Sequence, residues 1–254
     1  MKVDAVIPAR MDSSRYPGKP LCDIRGMTMI EHVYHRTSMC VNIDTTYVAT
    51  PDSEIQNEVE KFGGETIMTG AHERAIDRVA EANESLDADV VVVVQGDEPL
   101  VYPGMIGAAV KAVVENDDVR VSTMVRKIDT EETFEDPNFP KVVVDNDWNV
   151  LYFSREPIPN RHDRQFEELT AYKHLAVIPF TDNFLSEFAS LPQTELEQAE
   201  SIDLIRALEH GYDIRAVEVE RDVYQVDTPE DHEVVNEMMA TDDLFETYAQ
   251  HANR

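Results

Sequence analysis

The sequence predicts an α/β protein built on a doubly wound, mostly parallel sheet. Short apolar strands and amphipathic helices alternate along the first half of the chain, which is the pattern of consecutive βαβ units. One strand is an unbroken run of valines at 90–94, as in strands covered by helices on both faces. Such sheets bind ligands beyond the C-terminal ends of their strands, so we expect the functional residues there.

The elements of the first half follow from apolar spacing and from the positions of Gly, Pro and Ser. A buried strand is predicted at 2–7, and a helix is predicted to begin after Gly26. Ser53 is predicted to cap the second helix, and Pro103 to lie in the first turn of the fourth. The other expected elements are strands at 45–50, 65–69 and 89–94 and helices at 53–62, 71–85 and 103–114.

After about residue 120 the pattern changes to strands joined by turns. This change predicts an antiparallel lobe within about 121–180, with strands at 121–128, 141–144, 150–154 and 173–180 and a loop at 155–170. Helices at 182–189 and 195–209, a strand at 214–219 and a helix from Thr228-Pro229 to Met239 follow, and residues after Ala240 show no clear pattern. Because no linker interrupts the chain, we expect one domain over 1–254 that includes the lobe.

The net charge excludes several classes of partner. The chain has 51 acidic and 22 basic residues, a formal net charge of −29, and the acids are spread over its whole length. A field of this sign repels nucleic acids and anionic membranes, so neither is an expected partner. The acidity fits a surface adapted to high salt or a binding face for a cationic partner, and its even spread favours the first.

The compartment expected from the sequence is a reduced cytoplasm. No apolar run is long enough to span a bilayer, and the first strand begins too early to leave room for a signal peptide. Cys22 and Cys40 are the only cysteines, too few for a disulfide framework or a cysteine metal cage.

Positive charge collects in the loop after the first strand. Residues 1–25 contain five basic and three acidic residues, a balance of +2, and Arg10, Arg15 and Lys19 lie in this loop around Gly18. Cations and backbone N–H groups that converge at a strand end bind phosphates. The spacing fits neither a Walker loop nor a GxGxxG turn, so a triphosphate site of another kind and an ordinary basic surface loop both remain open.

Two acids follow strands and are candidate metal ligands. Asp97 comes directly after the valine strand, and Asp227 comes after a later strand. Mg²⁺ prefers oxygen ligands and bridges phosphates through one or two carboxylates. For Asp227, a helix N-cap in front of Thr228-Pro229 explains the residue equally well.

Five motifs in order carry a resemblance to a known family. They are PAR-x-x-SSR-x-PGKPL, VQGDEP, YFSR-x-PIP, KHL and VDTPED. Together they resemble the 3-deoxy-manno-octulosonate (Kdo) cytidylyltransferases, the CMP-Kdo synthetases, and more distantly the CMP-sialic acid synthetases. The resemblance implies a nucleotide-diphospho-sugar transferase-like fold, a homodimer formed through the antiparallel lobe, and Mg²⁺-dependent transfer of CMP from CTP to the anomeric hydroxyl of an acidic sugar, with release of pyrophosphate.

The resemblance also implies roles for residues at matching positions. The implied catalytic residues are Arg10, Arg15, Lys19 and Asp97, and the implied Mg²⁺ ligands are Asp97 and Asp227. The implied nucleotide contacts are Ala9 and Arg10 at the cytidine and α-phosphate, Arg15 and Lys19 at the β- and γ-phosphates, and Arg78 and Gln95. The implied sugar contacts are Gln95, Arg155, His174 and Asp203.

The sequence departs from the family pattern in two regions. A family Ser-Gly-Thr-Glu-Arg stretch that helps to seat the nucleoside corresponds here to residues 74–78, of which only Arg78 matches. On the sugar side, a family Tyr corresponds to Ile178 and a Glu-Gln pair to Asp203-Leu204. Lost hydroxyl and amide groups alter specificity strongly. Two alternatives therefore stay open: a cytidylyltransferase for a nonulosonate, an aminated acidic sugar or a phosphonate, and a non-catalytic nucleotide-binding protein.

The high-salt interpretation of the acidity predicts that molar KCl raises both the stability and the activity of the protein. At about 1 M salt the Debye length falls to about 3 Å, which removes most repulsion between surface carboxylates. Thermal unfolding at increasing KCl concentration checks this expectation. Equal midpoints in dilute buffer and in molar KCl contradict it.

Overall fold

The computed structural model describes residues 1–252, and the chain divides into two compact units. The first unit comprises Met1–Gly107 and the residues from Val223 onward, and the second comprises Ala108–Asp222. Residues 253–254 of the predicted domain lie outside the described residues. That the whole chain acts as one domain stays a prediction. Within the described range, none of the helices combines the length and the apolar composition needed to cross a bilayer.

The first unit is built on a parallel sheet. Its elements up to the unit boundary inside α4 are β1 (Val3–Pro8), β2 (Asp23–Ile24), β3 (Met27–Thr28), α1 (Met29–Ser38), β4 (Thr45–Thr50), α2 (Ser53–Lys61), β5 (Glu65–Met68), α3 (Ala75–Asn83), β6 (Val90–Val94) and α4 (Pro103–Val114). β1 pairs in parallel with both β4 and β6, and β4 pairs in parallel with β5. Among the strands of this unit the order is therefore β6-β1-β4-β5, and the predicted parallel sheet is confirmed.

The central strands are apolar because both of their faces are covered. All five valines of β6 are fully buried, and every residue of β1 is buried as well. β1 and β6 are direct neighbours, so the loops that follow them begin side by side at one edge of the sheet. Gly96 allows this close approach, since a Cβ at this position would lie 2.7 Å from the Pro8 carbonyl oxygen.

The second unit contains a mostly antiparallel sheet. Its elements are β7 (Ser122–Lys127), α5 (Glu131–Glu135), β8 (Lys141–Val144), β9 (Val150–Ser154), β10 (Tyr172–Leu175), β11 (Val177–Thr181), α6 (Asp182–Ser190), α7 (Glu195–Glu200), α8 (Ile205–Glu209) and β12 (Arg215–Glu218). The strand order is β12-β7-β10-β8-β9, with only β12 and β7 parallel. The antiparallel lobe and its β8–β9 hairpin agree with the sequence prediction.

The chain then returns to the first unit as α9 (Pro229–Met239) and α10 (Phe245–Ala252). The sequence pattern did not predict α10, because polar contacts with distant residues hold it in place. Arg36 of α1 is fully buried, donates to the Tyr248 hydroxyl at 3.0 Å and forms an ion pair with Asp242. His32 also contacts the Tyr248 hydroxyl, and burial lowers the pKa of His32 to about 4, so its imidazole is neutral at neutral pH.

Local turns account for the other differences from the predicted elements. The first helix begins at Met29, because β2 and β3 pair around a turn at Arg25 and Gly26, both with positive φ. The helix predicted at 195–209 is split into α7 and α8 by Ser201, whose φ is 53°. The helix predicted from residue 71 begins at Ala75, and the strand predicted at 173–180 forms two strands, β10 and β11.

The close approach at Gly96 leads to a stability prediction. Gly96→Ala places a methyl group against the backbone of β1, so we expect the free energy of unfolding to fall by about 1–3 kcal/mol. Denaturant unfolding measures this change. Gly104→Ala, in the exposed first turn of α4, serves as the control. Equal stability of the Gly96→Ala variant and the unsubstituted protein contradicts the steric argument.

Candidate active site

A cleft of about 290 Å³ opens in the first unit at the C-terminal edge of the parallel sheet. The loops after β1 and β6, the start of α3 and the segment before α9 line it. It contains all eight residues that the resemblance implies for nucleotide and metal binding: Ala9, Arg10, Arg15, Lys19, Arg78, Gln95, Asp97 and Asp227. Residues that are far apart in the sequence therefore converge on one site, as expected for a sheet of this class.

Lys19 lies at the centre of one end of the cleft. Its Nζ atom donates to Asp97 Oδ2 at 2.7 Å, to Asp227 Oδ1 at 2.9 Å and to the Val226 carbonyl at 3.0 Å. These three bonds use all three donors of the ammonium group. Burial lowers the pKa of Lys19, but the two carboxylates outweigh it and the net pKa is raised, so the side chain stays charged.

Arg15 supplies a second cation at the same end. Its Nη2 atom lies 2.9 Å from Asp227 Oδ2, so both carboxylate oxygens of Asp227 contact a basic side chain. The helix cap of α9 is Thr228, whose side chain accepts a hydrogen bond from the Asp231 amide. The alternative that Asp227 is only a helix cap is therefore wrong, because its carboxylate faces the cleft cations.

Backbone hydrogen bonds hold the two acids in register. The Val226 amide donates to the Asp97 carbonyl at 2.9 Å, which joins the loop after β6 to the residue before Asp227. On the other side, the Asp227 amide donates to Asp231 Oδ2 at 3.0 Å. The carboxylates of Asp97 and Asp227 thus approach Lys19 from two rigid segments.

The loop after β1 is closed by its own turn. Gly18 has a φ of 76°, a conformation that glycine adopts without strain, and its amide donates to the Met11 carbonyl. Lys19 follows in a short 3₁₀ turn at Lys19–Leu21. The Met11 amide also donates to Asp52 Oδ2 at 2.7 Å. These bonds give the charged loop a defined path along the cleft.

The other end of the cleft contains two guanidinium groups. Arg10 Nη1 and Arg78 Nη2 each donate to the His72 carbonyl at 3.3 Å, and Arg78 also donates to the Thr69 hydroxyl at 2.8 Å. Burial, and then the charge of Arg10, lowers the pKa of Arg78. This end is therefore rich in positive charge near the start of α3.

Other lining residues were not among the predicted site residues. Those just before α3 are His72, Glu73 and Arg74. His72 pairs with Glu81, whose carboxylate also accepts from the Gly70 amide. The departure from the family pattern at residues 74–78 marked Arg74 without showing that it lines the cleft, and no signal in the sequence marked His72 or Glu73.

The other three residues implied for the sugar lie in the second unit. Arg155 donates through Nε to the Glu200 carbonyl at 2.7 Å and through Nη1 to the Pro137 carbonyl at 3.0 Å. Asp203 lies in the turn between α7 and α8, where its carbonyl accepts from the Arg206 amide.

His174 is the third of these residues, and it is neutral. Its Nε2 atom lies 2.7 Å from the Thr123 hydroxyl, and its ring packs edge-on against Phe153. Burial, assisted by the charge of Arg155, lowers the pKa of His174 to about 4. The role of all three residues in sugar binding stays a prediction.

The donor set of the cleft fits a hard divalent cation. Asp97 Oδ1 is buried and has no hydrogen-bond partner among the described residues. Asp97 Oδ2 and both Asp227 oxygens contact the basic side chains of Lys19 and Arg15. Across residues 1–252, no group of three or more His, Cys, Asp and Glu side chains is suited to a metal. A cation held by these two carboxylates would take its remaining ligands from substrate and water, as Mg²⁺ commonly does.

Known proteins are similar to this chain in sequence and in fold. The sequence model of the cytidylyltransferase family matches residues 5–215. The chain is 41% identical over 249 residues to a 3-deoxy-manno-octulosonate cytidylyltransferase of Trichlorobacter lovleyi, with 94% of this chain and 99% of that protein covered. It is 42% identical over 249 residues to the one of Geobacter sulfurreducens, with 94% and 100% covered.

A solved structure agrees with the sequence relatives. The structure of CMP:2-keto-3-deoxy-manno-octonic acid synthetase complexed with CTP is 37% identical, covers 94% of this chain and 99% of its own, and gives a TM-score of 0.89. The chain therefore belongs to the cytidylyltransferase family, among the 3-deoxy-manno-octulosonate cytidylyltransferases.

Proposed function

We propose that this protein transfers CMP from CTP to the anomeric hydroxyl of Kdo or a closely related acidic sugar and releases pyrophosphate. One observation carries the proposal: Lys19 and Arg15 contact Asp97 and Asp227 in a cleft at the strand ends. Phosphoryl transfer needs cations for the phosphate oxygens and carboxylates for a divalent metal, and this end of the cleft supplies both. The names of the similar proteins support the same reaction.

The basic residues are proposed to bind the triphosphate. Arg15 and Lys19 would contact the β- and γ-phosphates, and their charge would stabilise the pyrophosphate that leaves. Ala9 and Arg10 would contact the cytidine and the α-phosphate, with Arg78 beside Arg10. Once they hold the triphosphate, these cations would stabilise the developing charge without further movement.

Asp97 and Asp227 are proposed to hold Mg²⁺. The orphaned Asp97 Oδ1 atom supports this role, since a buried carboxylate oxygen without a partner is costly unless a ligand satisfies it. When bound, Mg²⁺ neutralises phosphate charge and lowers the pKa of a coordinated hydroxyl. Lys19 would then lose its carboxylate partners and donate to phosphate oxygens.

Gln95, Arg155, His174 and Asp203 are the residues proposed for the acidic sugar. His174 would act as a neutral hydrogen-bonding group, because its pKa of about 4 leaves it uncharged at neutral pH. The positive charge of Arg155 would attract the carboxylate of the sugar, while two backbone carbonyls hold the Arg155 side chain in place.

A second acceptor class has support from two buried side chains. Ile178 is 3% exposed and Leu204 is 1% exposed, and both stand where the family pattern has hydrogen-bonding residues. Neither can donate to a sugar hydroxyl or accept from one. The alternative acceptors are a nonulosonate, an aminated acidic sugar or a phosphonate.

Three further features belong to the proposal. The protein would act in the cytoplasm, where CTP is made, and would work at high salt because of its net charge of −29. It would form a homodimer through the antiparallel lobe. Leu151 supports a dimer contact on the lobe, because it is an apolar side chain on the edge strand β9 that is 60% exposed in the single chain.

An acceptor panel tests the reaction. Pyrophosphate release is measured with CTP, Mg²⁺ and each of Kdo, nonulosonates, aminated acidic sugars and phosphonates. We expect release with at least one sugar acid, and activity with Kdo alone excludes the alternative acceptors. CTP binding without release for any acceptor supports the non-catalytic alternative and contradicts the proposal.

The carboxylate at the centre of the proposal is tested in the same assay. We expect Asp97→Asn to lower kcat/KM by about 100-fold or more, because several kcal/mol of transition-state stabilisation depend on the metal. Asp117→Asn, at an exposed position in the second unit, serves as the control. Unchanged activity of Asp97→Asn contradicts the assigned role.

Metal binding to the free protein tests the charge balance around Lys19. Lys19→Met removes the ammonium group and leaves two carboxylates without their shared partner, so we expect Mg²⁺ affinity without nucleotide to rise about tenfold or more. Affinity for CTP should fall, because a phosphate contact is lost. Calorimetric titration measures both affinities, with Lys61→Met at an exposed helix position as the control. Unchanged or weaker Mg²⁺ binding by Lys19→Met contradicts the prediction.

A further inference from the structure

Three segments of the first unit meet at the side chain of His232. Its Nδ1 atom lies 3.1 Å from the Tyr16 hydroxyl, and its Nε2 atom lies 2.7 Å from the Asp23 carbonyl oxygen. The Tyr16 and His232 rings lie with their centroids 5.9 Å apart. Tyr16 belongs to the charged loop after β1, Asp23 to strand β2 and His232 to the first turn of α9.

The two contacts define the direction of each hydrogen bond. The Asp23 carbonyl can only accept, so His232 Nε2 carries the hydrogen atom. In the neutral imidazole Nδ1 is then an acceptor, and the Tyr16 hydroxyl donates to it. Burial, and then Cys22, raises the pKa of Tyr16, so this hydroxyl keeps its proton at neutral pH. Both bonds are therefore satisfied at once.

We propose that Tyr16 and His232 are positioning residues that hold the charged loop in its binding geometry while substrate replaces the ion pairs of Arg15 and Lys19. The inference rests on the proposed function. Neither residue would touch the reacting atoms, and both would act through their neighbours in the loop and in α9.

The bond from Met11 to Asp52 holds the start of this loop, but other contacts hold the part that contains Arg15 and Lys19. Arg15 and Lys19 connect it to Asp227 and Asp97 through ion pairs. Those are the contacts that a triphosphate and a metal ion would replace. The Tyr16–His232 bond contains no group proposed to bind substrate, so it remains intact in both states.

The Tyr16–His232 bond also connects the charged loop to the segment that carries Asp227. The His232 amide donates to the Thr228 carbonyl within the first turn of α9. The Asp227 and Thr228 amides both donate to Asp231 Oδ2, at 3.0 and 2.8 Å. His232 is thus rigidly connected to the carboxylate of Asp227, and the bond to Tyr16 sets the distance between that carboxylate and the loop cations.

Apolar packing alone does not provide this constraint. Tyr16 packs against a core cluster that includes Ile24, Leu100 and Val226, and it is only partly buried. Packing is non-directional and tolerates small shifts, whereas a hydrogen bond to a ring nitrogen fixes the hydroxyl within a few tenths of an ångström. Tyr16→Phe keeps the ring and removes the hydroxyl, with its bond to His232 and its contact with Cys22, so it separates hydrogen bonding from packing.

The experiment compares Tyr16→Phe, His232→Leu and the double variant with the unsubstituted protein. Hydrogen exchange of the backbone amides at 11–21 in the free protein reports the loop, and equilibrium titration with CTP and Mg²⁺ reports binding. Tyr34→Phe is the matched control, because it removes the hydroxyl of another half-buried tyrosine, which accepts from the Glu65 amide outside the cleft.

In Tyr16→Phe we expect faster exchange of the loop amides. We also expect CTP binding to weaken about five- to tenfold, which is the change in affinity that corresponds to the free energy of one neutral hydrogen bond. With substrate, KM for CTP should rise by the same factor and kcat should stay within about twofold. The double variant should bind CTP no more weakly than His232→Leu alone, because His232→Leu already removes the Tyr16–His232 bond that Tyr16→Phe removes.

Unchanged loop exchange in Tyr16→Phe overturns the inference, and so does a lower unfolding midpoint with CTP affinity and KM unchanged. Loss of kcat without a change in KM also overturns it, because a positioning residue for the triphosphate acts on binding. If the unsubstituted protein does not bind CTP, the proposed function fails. Loop exchange in the free protein then still decides whether the Tyr16–His232 bond holds the loop.

Discussion

The Lys19 ammonium group between two carboxylates is the interaction on which the rest of the site depends. Asp97 and Asp227 come from segments 130 residues apart in the sequence, and without a cation between them their charges would repel at short range. Their positions require β1 and β6 to be neighbours, a glycine at position 96 and a backbone bond from Val226 to Asp97. The fold thus brings together acidic and basic side chains whose charges are balanced only when all of them are present.

The same side chains have one partner set in the free protein and another in the proposed complex. Lys19 and Arg15 stabilise the carboxylates in the absence of ligand, and they would stabilise phosphate oxygens in its presence. The opposite charges in such a cleft balance one another, which limits the cost of removing them from water. Because Lys19 is mostly buried, salt would screen its ion pairs less than it screens surface charges.

Local patterns in the sequence predicted the sheet and one end of the cleft. The valine run, the small residues of the loop after β1 and Thr228-Pro229 each have one physical meaning, and each lies where expected. Features that depend on distant contacts were not predictable, among them α10, which Arg36 and Tyr248 hold in place, and the bond from Tyr16 to His232. Ser201 is a local feature that the sequence pattern did not reveal. Its positive φ ends α7, where the pattern predicted one continuous helix.

The central claim is that the bond between the α- and β-phosphates of CTP is broken and that CMP is transferred. Following the fate of CTP labelled at either the α- or the γ-phosphorus tests this claim most directly. The account predicts that the α label appears in a CMP-sugar and that the γ label appears in pyrophosphate. Appearance of the γ label in orthophosphate, or of the α label in free CMP with no CMP-sugar formed, would contradict it.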